Sequence, residues 1–105
     1  MRWQADWREY VDKIIRSYPD LEQKVAGGGE LTEKEKRRFD ALRATLAEME
    51  GMVSGDQRMR LIQMTYWEPP HVLHDAAGLV GVSRKEAIRW NREFIQLVAE
   101  KLDLP

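Results

Sequence analysis

The chain is 105 residues long, the size of one small domain, and carries 17 Lys and Arg against 18 Asp and Glu with no cysteine. That balance excludes an indiscriminate basic coat for nucleic acid, and the missing thiols exclude a disulfide framework or a thiolate metal site. No apolar run approaches the roughly 20 residues of a membrane span, and Met1-Arg2-Trp3-Gln4-Ala5-Asp6 lacks the apolar core of a signal peptide, so a soluble, cytoplasmic chain is expected.

Trp3, Trp7, Tyr10, Ile14 and Tyr18 recur at helical spacings with Val11 and Ile15 beside them, which predicts one apolar stripe on a helix ending at Pro19. Pro19-Asp20 opens a short second piece, Leu21 to Ala26. Gly27-Gly28-Gly29 breaks it, because glycine leaves the backbone too much freedom to stay helical. With no Gly-Lys-Ser/Thr after them and no strand before, these glycines read as a hinge or tight connection and not as a phosphate loop.

Thr32-Glu33-Lys34-Glu35 is a capping box that starts the next helix. Phe39, Leu42, Leu46, Met49 and Val53 then follow heptad spacing, while Glu33, Lys36, Arg37, Asp40, Arg43 and Glu48 give the other face mixed charge. Two readings of the seam stay open: a core stripe within the chain, or a homodimer interface, since the stripe is narrow for one-sided burial. Gly51, Ser54 and Gly55 end this helix, and Asp56 is the expected N-cap of another over Gln57 to Trp67, burying Leu61, Ile62, Thr65 and Tyr66. Trp67-Glu68-Pro69-Pro70 must be a loop, because each proline bars helical geometry in the residue before it. The four tryptophans read as core, with Trp67 also able to form a partner-binding bump. No segment shows period-two alternation, so the expected class is all-α: an N-terminal helical or oligomerisation segment over 1–55 and a C-terminal helix-turn-helix domain over 56–105.

The helix-turn-helix expectation rests on several positions together. Ala77 is small where two steeply crossed helices would touch, Gly81 suits a left-handed turn, and Val82 plugs the corner. Ser83 caps the second helix, with Glu86 completing a second capping box, and Ala87 and Trp90 face inward, followed by Phe94, Leu97 and Val98. The outer face of that helix would carry Ser83, Arg84, Lys85, Ile88, Arg89 and Arg92, opposed only by Glu86 and Glu93. Arg can donate two parallel hydrogen bonds to guanine, and an apolar side chain such as Ile88 can pack on a thymine methyl. Partial burial against the preceding helix is the other reading of Ile88. Arg92, furthest from the helix start, suits a phosphate contact.

Arg60-Leu61-Ile62 through Tyr66-Trp67, then Ala77, Gly81-Val82-Ser83-Arg84, Ala87, Trp90 and Phe94 to Leu102 resemble region 4 of sigma factors. More specifically, the chain is similar to small phage and prophage transcriptional regulators of the RinA and ArpU type, whose recognition helix similarly begins Val-Ser-Arg and runs into an apolar tail. Ser17-Tyr18-Pro19-Asp20 is a further point of likeness. The resemblance covers about the last half of the chain. It implies a sequence-specific regulator of late phage genes that binds double-stranded DNA upstream of a promoter, with RNA polymerase as a further partner.

Other signals are weaker. His71, His74 and Asp75 share a helix face by spacing, but lack the further ligand a metal site needs; they read better as surface residues at the start of the first helix of the motif, where a His can touch a DNA phosphate. No nucleophile, base or cofactor motif supports an enzyme, and no cofactor is expected. Two rival functions stay open. A small-terminase-like packaging adaptor also joins a helix-turn-helix to an oligomerising helix, although its DNA-binding motif usually lies towards the N-terminus. A helical protein-interaction module would use Arg84, Lys85, Arg89 and Arg92 to dock an acidic partner.

Overall fold

Helical periodicity is realised in six segments of the described chain. The computed structural model describes residues 3–67 and 71–103, with side chains from residue 7 onward. Among these residues there are six helices and no strand: α1 (Trp3–Arg16), α2 (Tyr18–Ala26), α3 (Glu33–Glu50), α4 (Gly55–Tyr66), α5 (Leu73–Val80) and α6 (Arg84–Lys101). The expected Glu68-Pro69-Pro70 loop and the side chain of Trp3 lie outside the described residues. None of the described helices is long and apolar enough to cross a membrane.

The chain forms two compact units, Met1–Thr45 with Ile95–Pro105 and Leu46–Phe94. The division therefore falls at 45/46 and 94/95, where a boundary at 55/56 was expected. At 18 residues, α6 is long enough for its last two turns to join the N-terminal helices.

In the first unit α1 stops at Arg16 because Pro19 has no N–H to continue its ladder. Ser17 closes the end by donating its hydroxyl to the Ile14 carbonyl at 2.7 Å. Pro19 falls in the first turn of α2, where a missing N–H costs nothing, so α2 starts at Tyr18, three residues before the expected Leu21. Val11, Ile14, Ile15 and Tyr18 are buried, but Tyr10 is 43% exposed. The stripe is thus centred on Val11 and Ile15, one residue round from the aromatic row that suggested it. Trp7 is half-buried. Tyr18 stacks on Phe39 at 5.6 Å between ring centroids.

The start of α3 is built as its capping box requires. The Glu35 amide donates to the Thr32 hydroxyl at 3.1 Å, and the Thr32 amide donates to the Glu35 carboxylate at 3.0 Å. The Lys24 ammonium adds a second bond to that carboxylate at 3.0 Å. Of the heptad seam, Phe39, Leu42 and Met49 are buried, Leu46 is half-buried, and Val53 lies past the helix end at 86% exposure. Ala41 and Thr45 are buried as well, which widens the stripe to the breadth of one-sided burial. The seam is therefore spent on the chain's own core. Thr45 tolerates burial because its hydroxyl donates to the Ala41 carbonyl at 2.8 Å.

In the second unit α4 begins at Gly55, two residues earlier than an Asp56 cap would have started it. Ser54 holds the N-cap position in the left-handed region at φ 61°, and Asp56 sits in the first turn. Gly55 is buried, and a Cβ there would stand 2.8 Å from the Glu50 carbonyl carbon and nearer still to its oxygen, so only glycine fits. Leu61, Ile62, Thr65 and Tyr66 are buried, as their spacing predicts. Leu61 from α4, Ala76 and Ala77 from α5, and Ala87 and Trp90 from α6 form one buried cluster, with Met64, Leu73, Val80 and Val82 packed round it.

Candidate nucleic-acid interface

The junction between α5 and α6 is three residues long, and each residue does what its chemistry predicts. Gly81 takes φ 86° and ends α5, its amide and that of Val82 both donating to the Ala77 carbonyl at 3.0 Å. Val82 packs on the cluster between the two helices. Ser83 accepts the Glu86 amide on its hydroxyl at 3.1 Å, capping α6.

The second half of that capping box is not formed. The Glu86 carboxylate turns along the helix to Arg89, accepting Nε–H at 3.3 Å and Nη2–H at 2.5 Å. A guanidinium one turn away offers two charge-assisted bonds, which outcompete one neutral amide. The Arg89 bonds hold the Glu86 carboxyl below the usual carboxylate range, and Glu86 in turn raises the affinity of Arg89 for its proton.

Ser83, Arg84, Lys85, Ile88, Arg89 and Arg92 are all exposed, Ile88 at 37%. At about 100° per residue, Lys85, Ile88, Arg89 and Arg92 fall within roughly a 100° arc of α6, opposite Ala87 and Phe94. With Glu86 they line one open depression of about 480 Å³. Ser83 and Arg84 are not part of that lining, and Arg84 falls about 40° outside the arc. Ile88 keeps about a third of its surface in solvent, so burial against the preceding helix is partial.

What the spacing of apolar residues missed is Arg58. It falls on the same inward row as Leu61, Ile62 and Thr65, and only 8% of it is exposed. Its Nε–H donates to the Val53 carbonyl at 3.0 Å, its Nη1–H to the Glu93 carboxylate at 2.9 Å, and its guanidinium carbon lies 5.0 Å from the centroid of the Trp90 ring. A scan for hydrophobic residues passes over such an arginine, although its position in the stripe was visible. Tyr66 fastens α4 to α6 a second time, donating its hydroxyl to Asn91 Oδ1 at 2.6 Å.

These bonds change the charge balance of the outer face. Both acids that oppose its cations are engaged, Glu86 by Arg89 and Glu93 by Arg58. Arg84, Lys85 and Arg92 make no ion pair among the described residues. Three uncompensated cations beside an exposed isoleucine can donate to phosphates and base edges while offering a methyl-sized apolar contact.

The two histidines do not share a helix. His71 precedes α5, with its amide donating to the Met64 carbonyl at 2.9 Å and Nδ1 3.3 Å from the same oxygen, whereas His74 is exposed on α5. Among the described residues no group of three His, Asp or Glu is placed to hold a metal ion.

No protein-family model matches the chain, and neither a curated protein nor a solved structure does.

Proposed function

We propose that this chain is a sequence-specific DNA-binding transcriptional regulator, with α5, the Gly81 turn and α6 acting as a helix-turn-helix and the outer face of α6 lying in the major groove. The observation that carries the reading is the state of that face: among the described residues Arg84, Lys85 and Arg92 make no ion pair while Glu86 and Glu93 are both taken. A protein with net charge −1 has no general attraction for DNA, so a cationic patch kept clear of its neighbouring acids is a local device. The resemblance of Val82-Ser83-Arg84 and the apolar tail to RinA- and ArpU-type regulators supports late phage genes as the target, RNA polymerase as a further partner, and the cytoplasm as the place of action.

Pairing of two chains on two half-sites belongs to the same proposal. The buried Phe39, Leu42 and Met49 are not the surface for it.

Selection of bound duplexes from a random-sequence pool tests the whole reading. The expected result is one enriched motif, bound more tightly than random duplex and lost when Arg84 and Arg92 are both replaced by Ala. Failure to bind any duplex at low ionic strength overturns it, and so does binding with no enriched motif.

A further inference from the structure

A second cationic site lies in the first unit. Tyr10 on α1 is an exposed aromatic whose hydroxyl accepts a hydrogen bond from Arg38 Nη2 at 3.2 Å, and the Arg38 guanidinium carbon lies 5.6 Å from the ring centroid. Lys34 and Arg37 come from the same stretch of α3, and these four side chains with Leu102 line a cavity of about 120 Å³.

The cations in this cavity are not equivalent. Arg37 has an anionic partner, donating from Nη2 to Asp103 Oδ2 at 3.1 Å and to the Leu102 carbonyl at 3.2 Å. Neither Lys34 nor Arg38 has a carboxylate partner among the described residues. Arg38 is half-buried as a residue, but its bond to Tyr10 is exposed, so the guanidinium stays open to an incoming anion. Here its partner is a neutral phenol, which uses one of its five N–H donors. The local field is positive: the hydrogen bond from Arg38, and then the charges of Arg38, Lys34 and Arg37, hold the Tyr10 hydroxyl below the usual tyrosine range.

We propose that this cavity binds one oxyanion of the phosphate class, free or ester-borne, through Lys34 Nζ, the unused N–H groups of Arg38 and the Tyr10 hydroxyl. The phenol accepts from Arg38 and keeps its own proton to donate, so it bridges the guanidinium and the anion. Two uncompensated cations match the charge of about −1.5 to −2 on a phosphate monoester near neutral pH. Donors from three side chains suit a tetrahedral oxyanion better than a carboxylate, which presents two oxygens. The site stands independently of the DNA-binding reading, since none of its residues belongs to α5 or to the outer face of α6.

The test is a titration of the full chain with inorganic phosphate, with chloride replaced at constant ionic strength and amide and arginine side-chain NMR signals followed. The expected response saturates, centres on Tyr10 and residues 34–38, and is weakened about tenfold by Lys34→Met or Arg38→Met, the size expected for one charge-assisted contact. Lys34→Met removes an exposed side chain with no ion-pair partner, so it keeps the test decisive if Arg38→Met disturbs the fold. A second arm uses a short duplex with the Arg84→Ala/Arg92→Ala variant, in which only an ester-borne phosphate is offered. Saturation in either arm that Lys34→Met weakens supports the site and names the source of the anion. Equal, unsaturable responses to phosphate and chloride, or a Lys34→Met response identical to wild type, overturn it.

Discussion

Gly81 and Ser54 both hold a left-handed backbone, at φ 86° and 61°, but only one of them is the residue suited to it. Nothing lies within 4 Å of the place a Gly81 Cβ would take, so Gly81→Ala meets backbone strain alone. It should destabilise by about 1–2 kcal/mol, roughly 5–15 °C in midpoint for a chain of this size. Ser54→Gly relieves the same strain and should shift the midpoint upward by a few degrees, about 1 kcal/mol or less. Thermal melts followed by circular dichroism check both, and the opposite signs are the point of the pair.

Glu35 supplies a pH-dependent contribution. Its carboxyl is held below the usual carboxylate range, first by the Thr32 amide and then by the Lys24 ammonium. A folded pKa below the unfolded one means that its stabilisation is complete above the unfolded value and is lost as pH falls through the folded value. Glu35→Gln keeps an oxygen for the Thr32 amide but loses the charge facing Lys24. It should be less stable than wild type at neutral pH, and the difference should close in acid. A gap that stays constant across denaturation curves from neutral to acidic pH would show that the ion pair contributes nothing.

Arg89 enters the proposed DNA complex already occupied. An unpaired Arg on guanine contributes about 1–3 kcal/mol of discrimination, but here the fork must first exchange Glu86 for the base. Freed by Glu86→Gln, Arg89 gains a charge it can offer to any phosphate. Random-duplex affinity should therefore rise and the ratio of specific to random binding should fall. Arg89→Ala should lower that ratio too, with little change in random affinity. Fluorescence anisotropy on a selected and a random duplex reads both, and an unchanged ratio in both variants would remove Arg89 from base reading.

At the scale of elements, α6 is aimed by what holds its inner side. Arg58 ties it to the α3–α4 turn and to Trp90, and Tyr66 ties it to α4. Arg58→Met retains the aliphatic stem but loses two hydrogen bonds and the ring contact. Glu93 is 44% exposed and can rehydrate, so urea denaturation should show a moderate loss of about 1–3 kcal/mol. The released Glu93 carboxylate would also lower duplex affinity, with the Glu93→Gln/Arg58→Met double variant recovering part of it.

Much of this arrangement could be read from local spacing. The Thr32 box, the small residue at Ala77, the turn at Gly81, the cap at Ser83 and the inward Ala87 and Trp90 involve partners within a turn or two, where sequence separation and geometry are linked. What could not be read depends on distant partners or on competition. Arg58 finds Glu93 across 35 residues, Tyr66 finds Asn91 across 25, and Glu86 chooses Arg89 over the Ser83 amide. Tyr10 reads as core by its aromatic character and spacing, whereas its hydroxyl and Arg38 keep it at the surface. The breadth of the α3 stripe was hidden because Ala41 and Thr45 do not register as hydrophobic anchors.

At the scale of the whole molecule, 17 basic and 18 acidic side chains cancel, so a field reaching beyond a Debye length of about 10 Å cannot draw the protein to DNA. In the proposed complex affinity would come from the few cations that touch phosphate, which makes the salt dependence a count of them. If Arg84, Lys85 and Arg92 each neutralise one phosphate, the log–log slope of affinity against salt should be about −2.7 per chain. Arg92→Ala should reduce that slope by about 0.9 and weaken selected and random duplexes alike. Arg89, paired with Glu86, should add little to the slope in wild type and a further unit when Glu86 is replaced by Gln. Titrations from low to moderate salt with wild type, Arg92→Ala and Glu86→Gln thus give three slopes in a fixed order, shallowest for Arg92→Ala and steepest for Glu86→Gln. A slope near zero for wild type would show that the outer face of α6 meets no phosphate. A slope unchanged by Arg92→Ala, together with a changed sequence preference, would move Arg92 from the backbone to the bases.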